Sequence, residues 1–262
     1  MSPHTTGLRS QPYHRLRFYR RALGGFRAAI IVLLFVGSAA AQNVLVWSSG
    51  NSDGNTGNVA AWLQASGQFT SVTGINSNAM LPLATLLGYD RLLYFSNHSE
   101  TQDPTAIGNV LADYADTGRC LVLSTFAFAS QGGNTLGGRI ISDQISPYFV
   151  AGSSLYSNVT MASNDGSSFF TGVNSVSGNY HDNVGLMPGA TGRALWSDGS
   201  SLLATNGNVV GVNLFPDDSF GFIGGDYRRL FVNALHCIPE PSTLLLVVTG
   251  MCALAVRRVT RH

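Results

Sequence analysis

Apolar and polar positions follow two different rhythms along this chain. Val44 to Trp47 is a short apolar run, which predicts a buried strand, and the Gly/Asn-rich loop Asn51 to Asn58 leads into an amphipathic helix at Val59 to Ala65. Phe69 to Ile75 predicts a second strand, and Arg91 to Ser96 a third after the loop Gly88-Tyr89-Asp90. Pro104 to Thr117 carries the clearest helical signal. Proline stands at its start, Ile107, Val110, Leu111 and Tyr114 recur at helical spacing, and Gly118 stops it. Leu121 to Phe126 follows as a fourth strand. This alternation predicts an α/β domain with a central, mostly parallel sheet and helices on both faces.

From Ser130 to Asn208 the rhythm changes. Gly, Ser and Asn dominate, with one short helical segment at Arg139 to Ile145, and His181-Asp182 falls in this stretch as a solvated loop pair. Ala194 to Trp196, Leu202 to Ala204 and Val209 to Leu214 read as strands joined at Asp198-Gly199 and Asn206-Gly207, dipeptides that accept the positive φ of tight hairpin turns. The second half is therefore hairpin-rich. A closing helix is expected over Gly225 to Cys237, with Leu230, Phe231, Val232 and Leu235 available to the core.

Both ends read as targeting segments. Arg15, Arg17, Arg20, Arg21 and Arg27 precede the apolar run Ala28 to Val36 and the small residues Gly37 to Ala41, with Ala39 and Ala41 in the positions of a signal-peptidase site. Residues 1–41 are thus a signal helix, either cut to leave Gln42 as the new N-terminus or kept as an anchor. At the other end, Pro239, Glu240 and Pro241 are followed by the uncharged run Ser242 to Val256 and by Arg257, Arg258 and Arg261. That run is shorter than the roughly 20 residues of an ordinary transmembrane helix, but snorkelling arginines and a thin bilayer would let it span. The arginines then stay cytoplasmic and the body lies on the far side.

The order of these parts, over residues 239–262, resembles the PEP-CTERM sorting tail of exported bacterial proteins. The resemblance implies that an exosortase recognises Pro239, Glu240 and Pro241, cuts near them, and passes the body at 42–238 to the cell envelope or extracellular matrix.

Charge separates the body from its ends. Six of the fifteen arginines precede Gln42 and three follow Val256, so the body holds six arginines and no lysine against thirteen acids, a formal charge of −7. Nucleic acid is excluded as a partner on this ground. Extracellular polysaccharide or neighbouring surface proteins suit such a surface. Cys252 lies in the tail, which leaves Cys120 and Cys237 as an even pair in an oxidising compartment, either bridged or as two buried thiols.

The segment Tyr89 to Phe95, the hairpin Leu195 to Gly199 and the run Gly211-Val212-Asn213-Leu214-Phe215-Pro216-Asp217 resemble the class I glutamine amidotransferase-like fold, with Tyr227 to Leu235 as its last helix. The resemblance implies a catalytic Cys after the strand at Leu121 to Ser124 and a His just before Pro216. Thr125 or a neighbour and Phe215 stand there instead, and only Asp217 matches, as the orienting acid. A nucleophile without an adjacent base cannot run that chemistry. The expectation is a non-catalytic domain with a structural or binding role, without cofactor or metal.

The alternative is an extracellular hydrolase acting on glycans or amides at the carboxyl edge of the sheet, where Ser124, Ser130, His98 and Asp217 would meet. No G-x-S-x-G elbow surrounds either serine. Asn51, Asp53 and Asn55 alternate like calcium ligands, but without the glycine and terminal glutamate of an EF-hand.

Overall fold

The computed structural model describes residues 42–50, 53–97, 103–128, 135–219 and 223–237. The signal segment, the PEP motif, the apolar run and the terminal arginines Arg257, Arg258 and Arg261 lie outside the described residues, as do His98 and Ser130. All described residues belong to one compact unit.

Its centre is a sheet of ten strands. Five strands run parallel: β1 (Asn43–Gly50) between β2 (Ser71–Asn76) and β3 (Arg91–Asn97), then β4 (Cys120–Ser124) and β11 (Val209–Val212). From β11 outward every pairing is antiparallel, through β10 (Ser201–Asn206), β9 (Thr191–Trp196), β6 (Val159–Asn164), β7 (Val176–Gly178) and β12 (Gly224–Gly225). A separate pair is formed by β5 (Tyr148–Leu155) and β8 (His181–Leu186).

The expected fold class is corrected here. The sheet is mixed rather than mostly parallel, and helices are few. Among the described residues no helix is long and apolar enough to cross a membrane. The error arose in the Gly/Ser/Asn stretch, which folds as β5 to β8. These strands are held by backbone ladders while most of their side chains stay partly or fully exposed, so they lack the apolar runs that mark a buried strand.

The parallel half follows the first rhythm of the sequence. Successive β1 residues face opposite sides, so Val44 and Val46 join one core and Leu45 and Trp47 the other. The first core is covered by α1 (Asp53–Ala65) through Val59, Trp62 and Leu63, and by α5 (Tyr227–Leu235) through Leu230, Phe231 and Leu235. The second is covered by α3 (Pro104–Asp116) through Ile107, Val110, Leu111 and Tyr114. Two short helices, α2 (Leu83–Leu86) and α4 (Arg139–Ser142), flank α3.

Helix α3 begins where Asp103 accepts the Ala106 amide at 2.8 Å, with Pro104 in the first turn, and it ends before Gly118 at φ 79°. The hairpin turns are made by Gly199 at φ 87° and Gly207 at φ 57°. Cys120 and Cys237, 117 positions apart in sequence, are joined by a disulfide with Cα atoms 5.6 Å apart. It ties the start of β4 to the end of α5.

Candidate functional site

The carboxyl ends of β1, β3, β4 and β11 lie along one edge of the sheet, the place where open α/β sheets bind ligands. Aromatic rings fill much of it. Phe215 packs edge-on against Phe95 with centroids 5.5 Å apart and lies 5.4 Å from Phe126, which in turn meets Tyr180 at 5.9 Å. Phe128 packs on Tyr148 at 5.0 Å. Phe126, Phe128 and Phe215 are all buried, while Tyr156 extends the cluster outward and is half exposed.

Two polar groups expected to act on this edge, Ser124 and Asp217, are committed to the protein. Ser124 is fully buried and its hydroxyl donates to the Leu214 carbonyl, which fastens β4 to the segment following β11. Asp217 is 1% exposed and accepts from the side-chain amides of Asn55 and Asn58, from the Ser219 amide at 3.1 Å, and from the Ser219 hydroxyl. Its carboxylate therefore staples the 213–219 segment to the first turns of α1, where negative charge is favoured. Of the expected trio, Ser124 and Asp217 are engaged separately and His98 lies outside the described residues.

Asp218, beside it, accepts from Asn58 at 2.8 Å, from the Tyr227 hydroxyl and from Arg228. Partial burial would raise its pKa, but these donors overcome that and hold it at about 2. Burial and the Asp218 carboxylate push the Tyr227 phenol up to about 12.

A second polar group centres on Asn213, which the sequence reading passed over. Its side-chain oxygen accepts from the Asp182 amide at 2.7 Å and from the Thr125 hydroxyl at 3.1 Å, and its nitrogen donates to the carbonyls of Asp182 at 2.8 Å and Ser201 at 2.9 Å. All four hydrogen-bonding capacities of the amide are used. Trp196 adds a bond to the Asn213 carbonyl at 3.0 Å. A polar residue inside the apolar run Val209 to Phe215 was the available signal.

His181 and Asp182 are not solvated: both are completely buried. His181 Nε2 lies 2.8 Å from Asp198, and Asp182 accepts the Ser154 hydroxyl at 2.7 Å. Burial dominates at Asp182 and raises its carboxyl to about 7, the Ser154 bond offsetting only part of the effect. Sheet pairing between β5 and β8 carries both residues inward, which the local composition gave no sign of.

Of the alternating calcium-like set, Asn55 donates to Asp217, while Asn51 and the Asp53 side chain lie outside what is described. Among the described residues no group of three or more His, Cys, Asp or Glu is placed to hold a metal ion.

No protein-family model matches the chain, and no curated protein matches it. Among solved structures it is similar to a cytoplasmic protein from Salmonella typhimurium, at 12% identity and a TM-score of 0.57 over 76% of this chain and 100% of that one. It also matches a glutamine amidotransferase from Thermotoga maritima, at 9% identity and a TM-score of 0.43 over 66% of this chain and 74% of that one. At such identities the first likeness describes the fold alone.

Proposed function

We propose that this is an exported cell-envelope or matrix protein, delivered by its N-terminal segment and sorted through its PEP-type tail, whose body binds or supports rather than catalyses. The observation that carries the non-catalytic part is the state of the carboxyl edge. Ser124 spends its hydroxyl on Leu214, Asp217 is consumed in stapling α1, and Phe126 and Phe215 pack on each other as buried rings at the same edge. A serine nucleophile needs a base in hydrogen-bond reach, and this hydroxyl is turned to a carbonyl.

The export part rests on the partition of charge, with the arginine-rich ends flanking an acidic, lysine-free body, and on the Pro239-Glu240-Pro241 motif before an apolar run and a basic terminus. A disulfide between Cys120 and Cys237 supports an oxidising destination. Signal peptidase and an exosortase are the processing partners of this reading, and matrix polysaccharide or surface proteins its working partners.

Intact-mass analysis of the envelope and secreted fractions tests it, comparing the native chain with Glu240→Ala. Loss of the residues following the PEP motif in the native chain alone is the expected result. A tail of full length in both would overturn the sorting reading.

A further inference from the structure

The opposite, amino-terminal edge of the sheet carries an open cleft of about 820 Å³, within the size range of small-ligand sites. Three of the six arginines in the body, Arg91, Arg119 and Arg193, line it, against one lining carboxylate, Asp90, and the Asp165 carboxylate that pairs with Arg193. Asp90 is occupied by the Asn43 amide at 2.8 Å. In a body of formal charge −7 without lysine, this concentration of cations is the reverse of the general surface.

The nearby helix ends do not cancel it. The carboxyl ends of α3 and α5 present partial negative charge toward this edge, but their carbonyls are already served. Asn208 donates to the Ala115 carbonyl at 2.8 Å through its side-chain amide, and Arg91 donates to the Leu235 carbonyl. Arg91 also reaches Gln42, and Arg193 binds Thr205 at 3.1 Å and Asp165 at 3.1 Å, so both are held in place. Arg119 donates only to the Thr117 hydroxyl, at 3.2 Å, and has no ion pair among the described residues.

The sheet order fixes how the three are spread. Arg91 starts β3, Arg119 immediately precedes β4, and Arg193 lies near the start of β9, with β11 and β10 between the last two. Four strand steps of about 4.8 Å separate the outer pair, a row about 19 Å long. A row of positive charge is matched by a row of anions: Arg119 offers its fork to a carboxylate, while Arg91 and Arg193, partly engaged within the protein, contribute charge on either side of it. A single phosphate would engage one of them.

We propose that this cleft binds a linear, carboxylated saccharide, such as a uronic-acid stretch of a matrix polysaccharide. Thr191, Thr205 and His236 line the same cleft and supply hydrogen-bonding groups of the kind that sugar hydroxyls use. The assignment of a matrix ligand rests on the proposed envelope location; the cleft itself does not.

The test is calorimetric titration of the detergent-solubilised full chain with a galacturonic-acid trimer, the neutral galactose trimer, inorganic phosphate and polyphosphate. The expected result is binding of the uronate trimer that weakens with salt, with the neutral trimer about tenfold weaker or worse. Arg119→Gln should weaken uronate binding about tenfold at an unchanged melting temperature, while Arg229→Gln, on the exposed side of α5 outside the cleft, should leave it unchanged. Equal binding of the neutral trimer, unchanged binding by Arg119→Gln, or binding of phosphate or polyphosphate without uronate would each overturn the proposal. Because these titrations use purified protein, their failure is separate from a failure of sorting, which the mass analysis reads.

Discussion

Asn58 divides one side-chain amide between two carboxylates, Asp217 and Asp218, the second at 2.8 Å. One residue of α1 thereby holds adjacent acids of a segment 159 positions away. Removing it leaves both carboxylates short of a donor in a partly buried setting. Asn58→Ala is expected to cost about 2 kcal/mol, read as a lower urea midpoint at an unchanged slope.

Asp218 gives the same region an acid limit. Its folded pKa of about 2 lies below its ordinary value, so its contribution to stability is present above about pH 4 and disappears as the pH falls toward 2. Urea midpoints measured from pH 5 to pH 2 should fall less steeply in Asp218→Asn than in the native chain. Parallel curves would show that the donors around Asp218 do not favour its charged form in the folded state.

Asp182 acts in the opposite sense. Its folded pKa of about 7 lies above the unfolded value, so the folded state holds a proton that the unfolded chain gives up. The associated stability is complete below about pH 4 and is lost as the pH rises through about 7. Asp182→Asn keeps an uncharged group in the same place, and is expected to be less sensitive to pH across that interval. A pH series of thermal melts checks it, with the variant overtaking the native chain near pH 8.

The disulfide closes a long loop. With its ends 117 positions apart in sequence, removing the Cys120–Cys237 link by a double replacement with serine should cost about 5 kcal/mol through the freedom returned to the unfolded chain. Comparing melting temperatures of the native chain with and without reductant, alongside the variant, measures this. A native melt indifferent to reductant, together with an equally stable variant, would mean that packing of α5 alone fixes that end.

Asn213 is expected to be less tolerant than any serine on the carboxyl edge. Asn213→Ala strands the Asp182 amide and the carbonyls of Asp182 and Ser201 in the interior, at a cost of about 3 kcal/mol or more. Ser124→Ala removes one hydrogen bond, for about 1 kcal/mol. The ordering of the two midpoints is the measurement.

The parallel half of the sheet was legible because its signals are local. Val44 to Trp47 and Leu121 to Leu123 are apolar on both faces, Ile107 to Tyr114 keep helical spacing, and Gly199 and Gly207 sit at the positive φ that their turn dipeptides predict. The antiparallel half was legible only at its hairpins. Strands such as β5, where Tyr148 is buried and Phe149 is exposed, depend on which partner they meet, and that is a property of the assembled sheet. The burial of His181 and Asp182 follows from the same pairing. The arginine cleft was hidden for a related reason: Arg91, Arg119 and Arg193 are far apart in sequence, and only the strand order brings them to one edge.

Arg91 donates to Gln42, the first described residue, and to Leu235, the last residue of α5. The two ends of the body therefore converge on one side chain. Entry and exit at neighbouring points keep the chain ends of the body on one side, and the aromatic rim around Phe126 and Tyr156 lies at the opposite edge of the sheet.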